Sequence, residues 1–418
     1  MSLAHNLEIA ATIKLAENAL TYGIIMRDSN INNFISTNAR MVDRVCSRAT
    51  DEIAAQLKQE GKHILPLSGV PIALPGESVL QAAREATRKN VHPSSKGIPE
   101  LREAIAAKLR TENEIDASPK TEIQVTNGAM HAVYIVLTTL LSPGDQVLMY
   151  APSFFYYGII ELLNGIPTYS FLSEDDGFKF DIVKLEEKVT AKTKLILLNT
   201  PANPTGYVAT QEDLEDIANL AKRHDLLVVS DESYEKLVYD GREHFSIASF
   251  PEMRERTITI HSFTKSYALP QWRLGYIVAT KKLTRYFNKI FEWMVLSCNY
   301  AAQRAATAAL SGPQEWVRSI CDRFELGRDL MYTGISKIDG ISCRKPQAGP
   351  FIFLNISKLG ASDEGFCHHL LSQYGIPGTP GRCFQSEDHL RLPFGATEEI
   401  LGRVLKDLKV AVEDQRRP

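Results

Sequence analysis

The sequence predicts an α/β fold. A large domain carries a mostly parallel seven-stranded sheet covered by helices, and a smaller α+β domain follows it. Two observations lead there. Apolar strand candidates alternate with helical stretches between residues 122 and 296. Strands such as LILLN (195–199) and LLVVSD (226–231) are apolar on both faces, the signature of a parallel sheet buried between two helical layers.

The strand candidates are Glu122–Thr126, Gln146–Ala151, Thr168–Leu172, Lys194–Asn199, Leu226–Asp231, Thr257–His261 and Leu274–Ala279. Between them Ala129–Leu141, Phe154–Asn164, Gln211–His224 and Lys281–Leu296 read as helices. Upstream, Met41–Glu60 is an amphipathic helix stopped by Gly61, Ile64–Leu67 a short strand, and Ser78–Lys89 a helix. Pro99–Glu112 is a helix with proline in its first turn. After about Leu310 the texture changes. A long helix Glu315–Ile338 leads to short strands near Ile341–Cys343, Phe351–Asn355 and His389–Leu392, with helices at Asp363–Tyr374 and Thr397–Asp414. The expected division is an N-terminal extension and helix over 1–60, a large domain over 61–310 and a small domain over 311–418. Residues 1–38 read as helical and peripheral.

Composition narrows the function classes. The chain has 418 residues, with 47 basic against 50 acidic side chains and a net charge of −3. Neither a nucleic-acid footprint nor a membrane-surface patch is expected. The longest apolar run, Ala132–Leu141, is too short to span a bilayer, and the first residues lack the order of a secretory signal. The six cysteines (46, 298, 321, 343, 367, 383) form no Cys-x-x-Cys pair, so no zinc or dithiol motif is expected. A reducing, cytoplasmic setting follows as the simplest expectation.

Ligands of open α/β sheets collect at the carboxyl ends of the strands. There LILLN runs into Thr200-Pro201-Ala202-Asn203-Pro204-Thr205-Gly206, LLVVS into Asp231-Glu232-Ser233-Tyr234, and TITIH into Ser262-Phe263-Thr264-Lys265. A carboxylate and a lysine at neighbouring strand ends are costly unless paired or functional. At Asn127-Gly128-Ala129-Met130 a strand gives way to a helix whose free N–H groups can hold an anion, and Arg273 can clamp the same anion. An amine, an acid and a phosphate cradle are what pyridoxal 5′-phosphate requires, and Phe154, opening a helix, can supply an apolar wall for its ring.

With these residues in view, the chain resembles class I/II aminotransferases of fold type I from roughly residue 40 to 413. The motifs are Gly97-Ile98-Pro99-Glu100-Leu101-Arg102, Asn203-Pro204-Thr205-Gly206, Asp231-Glu232-Ser233-Tyr234, Ser262-Phe263-Thr264-Lys265 and Arg391-Leu392-Pro393. The resemblance implies an internal aldimine on Lys265, with Asp231 on the pyridinium nitrogen. It implies Asn203 and Tyr234 on the phenolate oxygen and Phe154 stacked on the ring. Ser262, Arg273 and the backbone of Gly128, Ala129 and Met130 would hold the phosphate. Arg391 would grip the substrate α-carboxylate, with Gly69 nearby. His92 stands where the family has a tyrosine directed to the partner subunit's phosphate.

Departures from the family pattern are His92, Gln271 in place of a glycine, and the loop Val70-Pro71-Ile72-Ala73-Leu74-Pro75. The expected activity is transfer of an amino group from an L-amino acid to a 2-oxo acid by ping-pong chemistry, in a homodimer. A lyase, cyclase or oxidase using the same lysine is the alternative, since only the fate of the carbanion differs. A regulatory protein that has kept the fold is a third class, against which stands the absence of a basic helix-turn-helix before the core.

Overall fold

The computed structural model describes residues 34–70 and 75–416. Its large sheet has seven strands: β1 (Ile123–Thr126), β2 (Gln146–Ala151), β3 (Ile166–Phe171), β4 (Thr193–Asn199), β5 (Leu227–Asp231), β6 (Thr257–Ser262) and β7 (Gly275–Val278). Their spatial order is β1-β7-β6-β5-β4-β2-β3, and β7 alone runs antiparallel to its neighbours.

Side-chain alternation explains the two helical layers. Leu195 and Leu197 of β4 join a core with the helix Ala129–Leu140, whereas Ile196 and Leu198 join a second core with the helix Gln211–Arg223. The latter helix starts at a capping box, in which Thr210 and Asp213 bond each other's backbone N–H. Its buried face is Leu214, Ile217, Ala218 and Ala221, the spacing of one helical stripe.

The smaller sheet is antiparallel. It comprises β8 (Ser342–Cys343), β9 (Phe351–Asn355), β10 (Thr379–Pro380) and β11 (His389–Pro393), in the order β10-β11-β9-β8. Ile352, Leu354, Leu390 and Leu392 point to one core with Met331 and Ile335 of the helix Glu315–Ile335 and Leu401, Val404 and Leu408 of the helix Glu398–Gln415.

Most expected elements are present within a few residues, but four expectations need correction. Met41–Glu60 is not one helix; Thr37–Met41 and Cys46–Gln59 are separate. Ile64–Leu67 forms no strand. Leu65 N–H reaches Gly375 O and Ser68 makes an isolated bridge to Gly395, so its backbone groups are satisfied without a ladder. Phe154 does not open a helix; it lies in a loop before Tyr157–Leu162. Finally, Cys46 and Cys383 are bonded to each other across 337 residues, a pairing no local spacing reveals. A helix over Tyr300–Ser311 was not expected. Ala302, Ala305, Ala306 and Ala309 form its buried stripe, a weak apolar signal because alanine is small, and Asn299 caps it at Ala302 N–H. Residues 1–33 and 71–74, which include the expected peripheral helix and most of the loop after Gly69, lie outside the described residues. Among those described, no helix is long and apolar enough to cross a membrane.

Candidate active site

Strand register builds the site. Asn199 pairs with Asp231 between β4 and β5, and Ser262 pairs with Gly275 between β6 and β7, while Gly275 also pairs with Thr126 of β1. Polar residues that end separate strands thus share one edge of the sheet, where a cavity of about 260 Å³ opens.

The cavity is lined by Ala129, Met130, Phe154, Asn203, Asp231, Tyr234, Ser262, Lys265 and Arg273 among the expected residues. Gly128 and Arg391 adjoin it through their contacts with Arg273 and Asn203. His92 is exposed, and no described hydrogen bond joins it to this group.

Lys265 sits on a one-turn helix, Phe263–Ser266, directly after β6. Its Nζ donates to Gly69 O at 2.9 Å, so Gly69, expected on the substrate side, lies against the lysine. Burial, then the guanidinium groups of Arg391 and Arg273, bring the Lys265 pKa down to about 7.

Asp231 is buried and accepts from Ser233 N–H (3.0 Å), Ser233 Oγ (2.6 Å) and Tyr156 OH (2.8 Å). Burial raises its pKa, against the hydrogen bonds from Ser233 and Tyr156, which favour the carboxylate. Tyr156 was missed in the sequence. Nothing in the Phe154-Phe155-Tyr156-Tyr157 run marks which aromatic faces an acid 75 residues away.

Asn203 links three parts of the site. Its Nδ2 donates to Tyr234 OH at 3.2 Å, its Oδ1 accepts from Arg391 Nη1 at 2.9 Å, and its backbone N–H is held by Asn199 Oδ1 at 2.8 Å. Burial raises the Tyr234 phenol, while the charge of Arg391 opposes that rise. Arg391 also donates from Nη2 to Thr379 Oγ1 at 3.2 Å and lies 4.1 Å over the Phe351 ring and 4.8 Å from the Phe384 ring. Its Nε is buried and makes no hydrogen bond among the described residues.

At the other end, Gly128 adopts φ +89° and caps the helix Ala129–Leu140 without a side-chain bond to its first N–H groups. A Cβ on Gly128 would lie 2.8 Å from Arg273 Nη2. Arg273 Nη1 donates to Thr264 Oγ1 at 3.2 Å. A helix N-terminus faced by a guanidinium is an anion cradle.

These groups fit pyridoxal phosphate. A near-neutral buried amine, an acid at the end of the adjoining strand and an anion cradle beyond them meet its aldehyde, ring nitrogen and phosphate requirements. Fold and donor set define a fold type I pyridoxal-phosphate enzyme. The chain belongs to the aminotransferase class I and II family, which it matches over residues 68–408, and is a pyridoxal-phosphate-dependent aminotransferase acting on amino and oxo acids.

The comparisons agree with one another. The chain is 35% identical to aromatic-amino-acid aminotransferase 2 of Thermococcus litoralis, covering 80% of this chain and 88% of the relative. It is 34% identical to the aspartate aminotransferase of Pyrococcus abyssi, covering 77% and 83%. Among solved structures, the aspartate aminotransferase from Thermus thermophilus with maleate superposes with a TM-score of 0.85 at 29% identity, over 90% of this chain and 99% of that one.

Proposed function

We propose that this aminotransferase works by ping-pong exchange on Lys265, with the remaining residues in the roles their positions suggest. The observation that carries the reading is the placement of Lys265, which lines one cavity with Asp231, Tyr234, Ser262 and Arg273. Bound pyridoxal phosphate supplies an electron-withdrawing ring that acidifies the Cα proton of an attached amino acid. Everything else is done by the chain.

Lys265 Nζ holds the cofactor at rest and, once displaced, takes the Cα proton; a positioned base of this kind contributes typically 10²–10⁴-fold. Asp231 keeps the ring nitrogen protonated. Its bonds from Tyr156 and Ser233 favour the carboxylate against the effect of burial. Tyr234 and Asn203 stabilise negative charge on the ring oxygen, and Phe154 covers a ring face. Ser262, Arg273 and the backbone of Gly128, Ala129 and Met130 hold the phosphate. Arg391, positioned by Asn203 and Thr379, fixes the substrate α-carboxylate and so the direction of the Cα–H bond.

Each sheet has its own core, although the core of the small sheet also takes in Leu65, Tyr234, Leu237, Tyr239 and Ala268, so the proposed boundaries at about 60 and 310 are crossed by packing. A homodimer in the cytoplasm is the proposed setting. Trp293, Met294, Val295 and Leu296 form an exposed apolar group at the end of the helix Lys281–Met294, as an interface requires.

The test is direct. Borohydride treatment of the cofactor-loaded protein should fix the cofactor on the peptide containing Lys265, and a suitable donor should yield its oxo acid stoichiometrically without an acceptor. Release of ammonia in place of stored amine would overturn transamination.

A further inference from the structure

The residues that precede the large domain form a strap over the cofactor cavity. At one end, Asn38 Nδ2 donates to Leu162 O at 2.9 Å, and Gly158 lies against Val42, both on the large-domain helix Tyr157–Leu162. At the other end, Cys46 opens the helix Cys46–Gln59 and is bonded to Cys383 of the small domain. The next residue after Cys383 is Phe384, which is fully buried and stacks under the Arg391 guanidinium at 4.8 Å.

The strap brings charge to the site. Arg48 lines the same cavity as Lys265 and Asp231. Among the described residues its one side-chain hydrogen bond is from Nη1 to Asp51 Oδ2, at 3.1 Å. Burial brings Arg391 down to about 10, and Tyr234 and, less strongly, Asp51 act against that fall. Neither Arg48 nor Asp51 has a dense packing environment; both side chains are mostly exposed. What fixes them is the helix, and what ties the start of the helix is the disulfide.

We propose that Cys46 and Cys383 are positioning residues, whose bond holds Arg48 at the cavity mouth and thereby sets the affinity for substrates with a second carboxylate. With the bond closed, Arg48 offers free N–H donors to a distal carboxylate while Arg391 takes the α-carboxylate. With it open, the first turn of the helix is released from Cys383 and the cluster around Phe384. A dithiol opens it with two electrons and two protons, yielding two cysteine thiols and the dithiol's own cyclic disulfide. In a reducing compartment such a bond is a transient, sensing one.

The proposal rests on Arg391 being the α-carboxylate site. The experiment compares oxidised enzyme, dithiothreitol-treated enzyme and Cys46→Ser, all cofactor-loaded, with L-aspartate and L-tyrosine as donors. Peptide mapping without reductant is expected to find residues 46 and 383 cross-linked in the oxidised form only. Opening the bond is expected to raise KM for L-aspartate about tenfold, the loss of one charge-assisted contact, with kcat moving much less. KM for L-tyrosine should rise less, and Cys46→Ser should ignore dithiothreitol. Arg48→Gln should reproduce the KM change without touching the disulfide. Equal KM values in both redox forms, or no cross-linked peptide, overturn the proposal while leaving the transamination reading intact. No half-reaction with either donor in any form overturns both.

Discussion

Arg391 Nη1 donates to Asn203 Oδ1 at 2.9 Å, and this bond joins the two sheets of the molecule. Arg391 belongs to β11 of the small sheet, and Asn203 to the turn after β4 of the large one. A substrate held by Arg391 is therefore placed by both. Arg391→Lys should lose the fork geometry that a carboxylate needs, since an ammonium is a point charge. The expected outcome is a 10–100-fold fall in kcat/KM, mostly through KM, corresponding to about 1.5–3 kcal/mol. Steady-state kinetics with the cofactor band monitored in parallel would check it; an unchanged KM would remove Arg391 from substrate binding.

Tyr156→Phe removes one of the donors to Asp231. That donor favours the ionised carboxylate, so its loss lets the Asp231 pKa rise further. Activity that needs the carboxylate is lost as pH falls through that pKa, so the acid limb of the kcat/KM profile should move to higher pH. A tenfold loss in kcat near neutrality is expected, about one charge-assisted hydrogen bond. A pH profile overlying wild type would show that Tyr156 is only packing.

Lys265 is depressed to about 7 in the fold, so between about pH 7 and its unfolded value of 10.5 the unfolded chain binds the extra proton. Stability of the apo protein then rises with pH across that window, and the cost of burial is felt in full below it. Lys265→Met should raise the apo melting temperature at pH 6–7, with the gap narrowing toward pH 10, while abolishing cofactor fixation. A lower melting temperature for the variant would contradict the burial argument.

Gly128→Ala puts a side chain at φ +89° and 2.8 Å from Arg273 Nη2. Backbone strain of this kind costs about 1–3 kcal/mol, and the displaced guanidinium belongs to the proposed phosphate cradle. Cofactor affinity should fall at least about tenfold, read as faster loss of the bound cofactor on dialysis. Retention at the wild-type rate would place the phosphate elsewhere.

Beneath the site lies a buried charge cluster. Lys108 Nζ bonds Glu235, and Glu235 faces His261 Nδ1 at 3.3 Å. Against the cost of burial, the charges of Lys108 and His261 hold Glu235 well below the usual carboxylate range. Stability from this pair is present above the ordinary carboxylate pKa and is lost as pH falls through the folded one. Lys108→Met should cost about 3–5 kcal/mol by leaving a buried carboxylate unpaired, and should shift acid unfolding to higher pH in a denaturation series. Wild-type stability in that variant would mean the cluster is compensated by the histidines.

The large sheet was legible because each strand is a short apolar run bounded by polar turns. The ends of β4, β5 and β6 could be read as site residues because Asn203, Asp231 and Lys265 follow such runs directly. The small domain was harder to read. Its strands β8 and β10 are two residues each and carry no periodicity of their own. Ile64–Leu67 looked like a strand because four apolar or extended residues have no way to show whether a partner exists.

By itself, then, the order of residues determined the alternating architecture and the cofactor chemistry, and pointed to Lys265 as the proposed anchor, because these depend on local patterning and on motifs contiguous in the chain. Only the folded molecule decided that Tyr156 serves Asp231, that Asn203 holds Arg391, and that Cys46 meets Cys383. Those relations join residues 75, 188 and 337 positions apart, and contact at such separation comes from how the layers pack, which no stretch of sequence encodes alone.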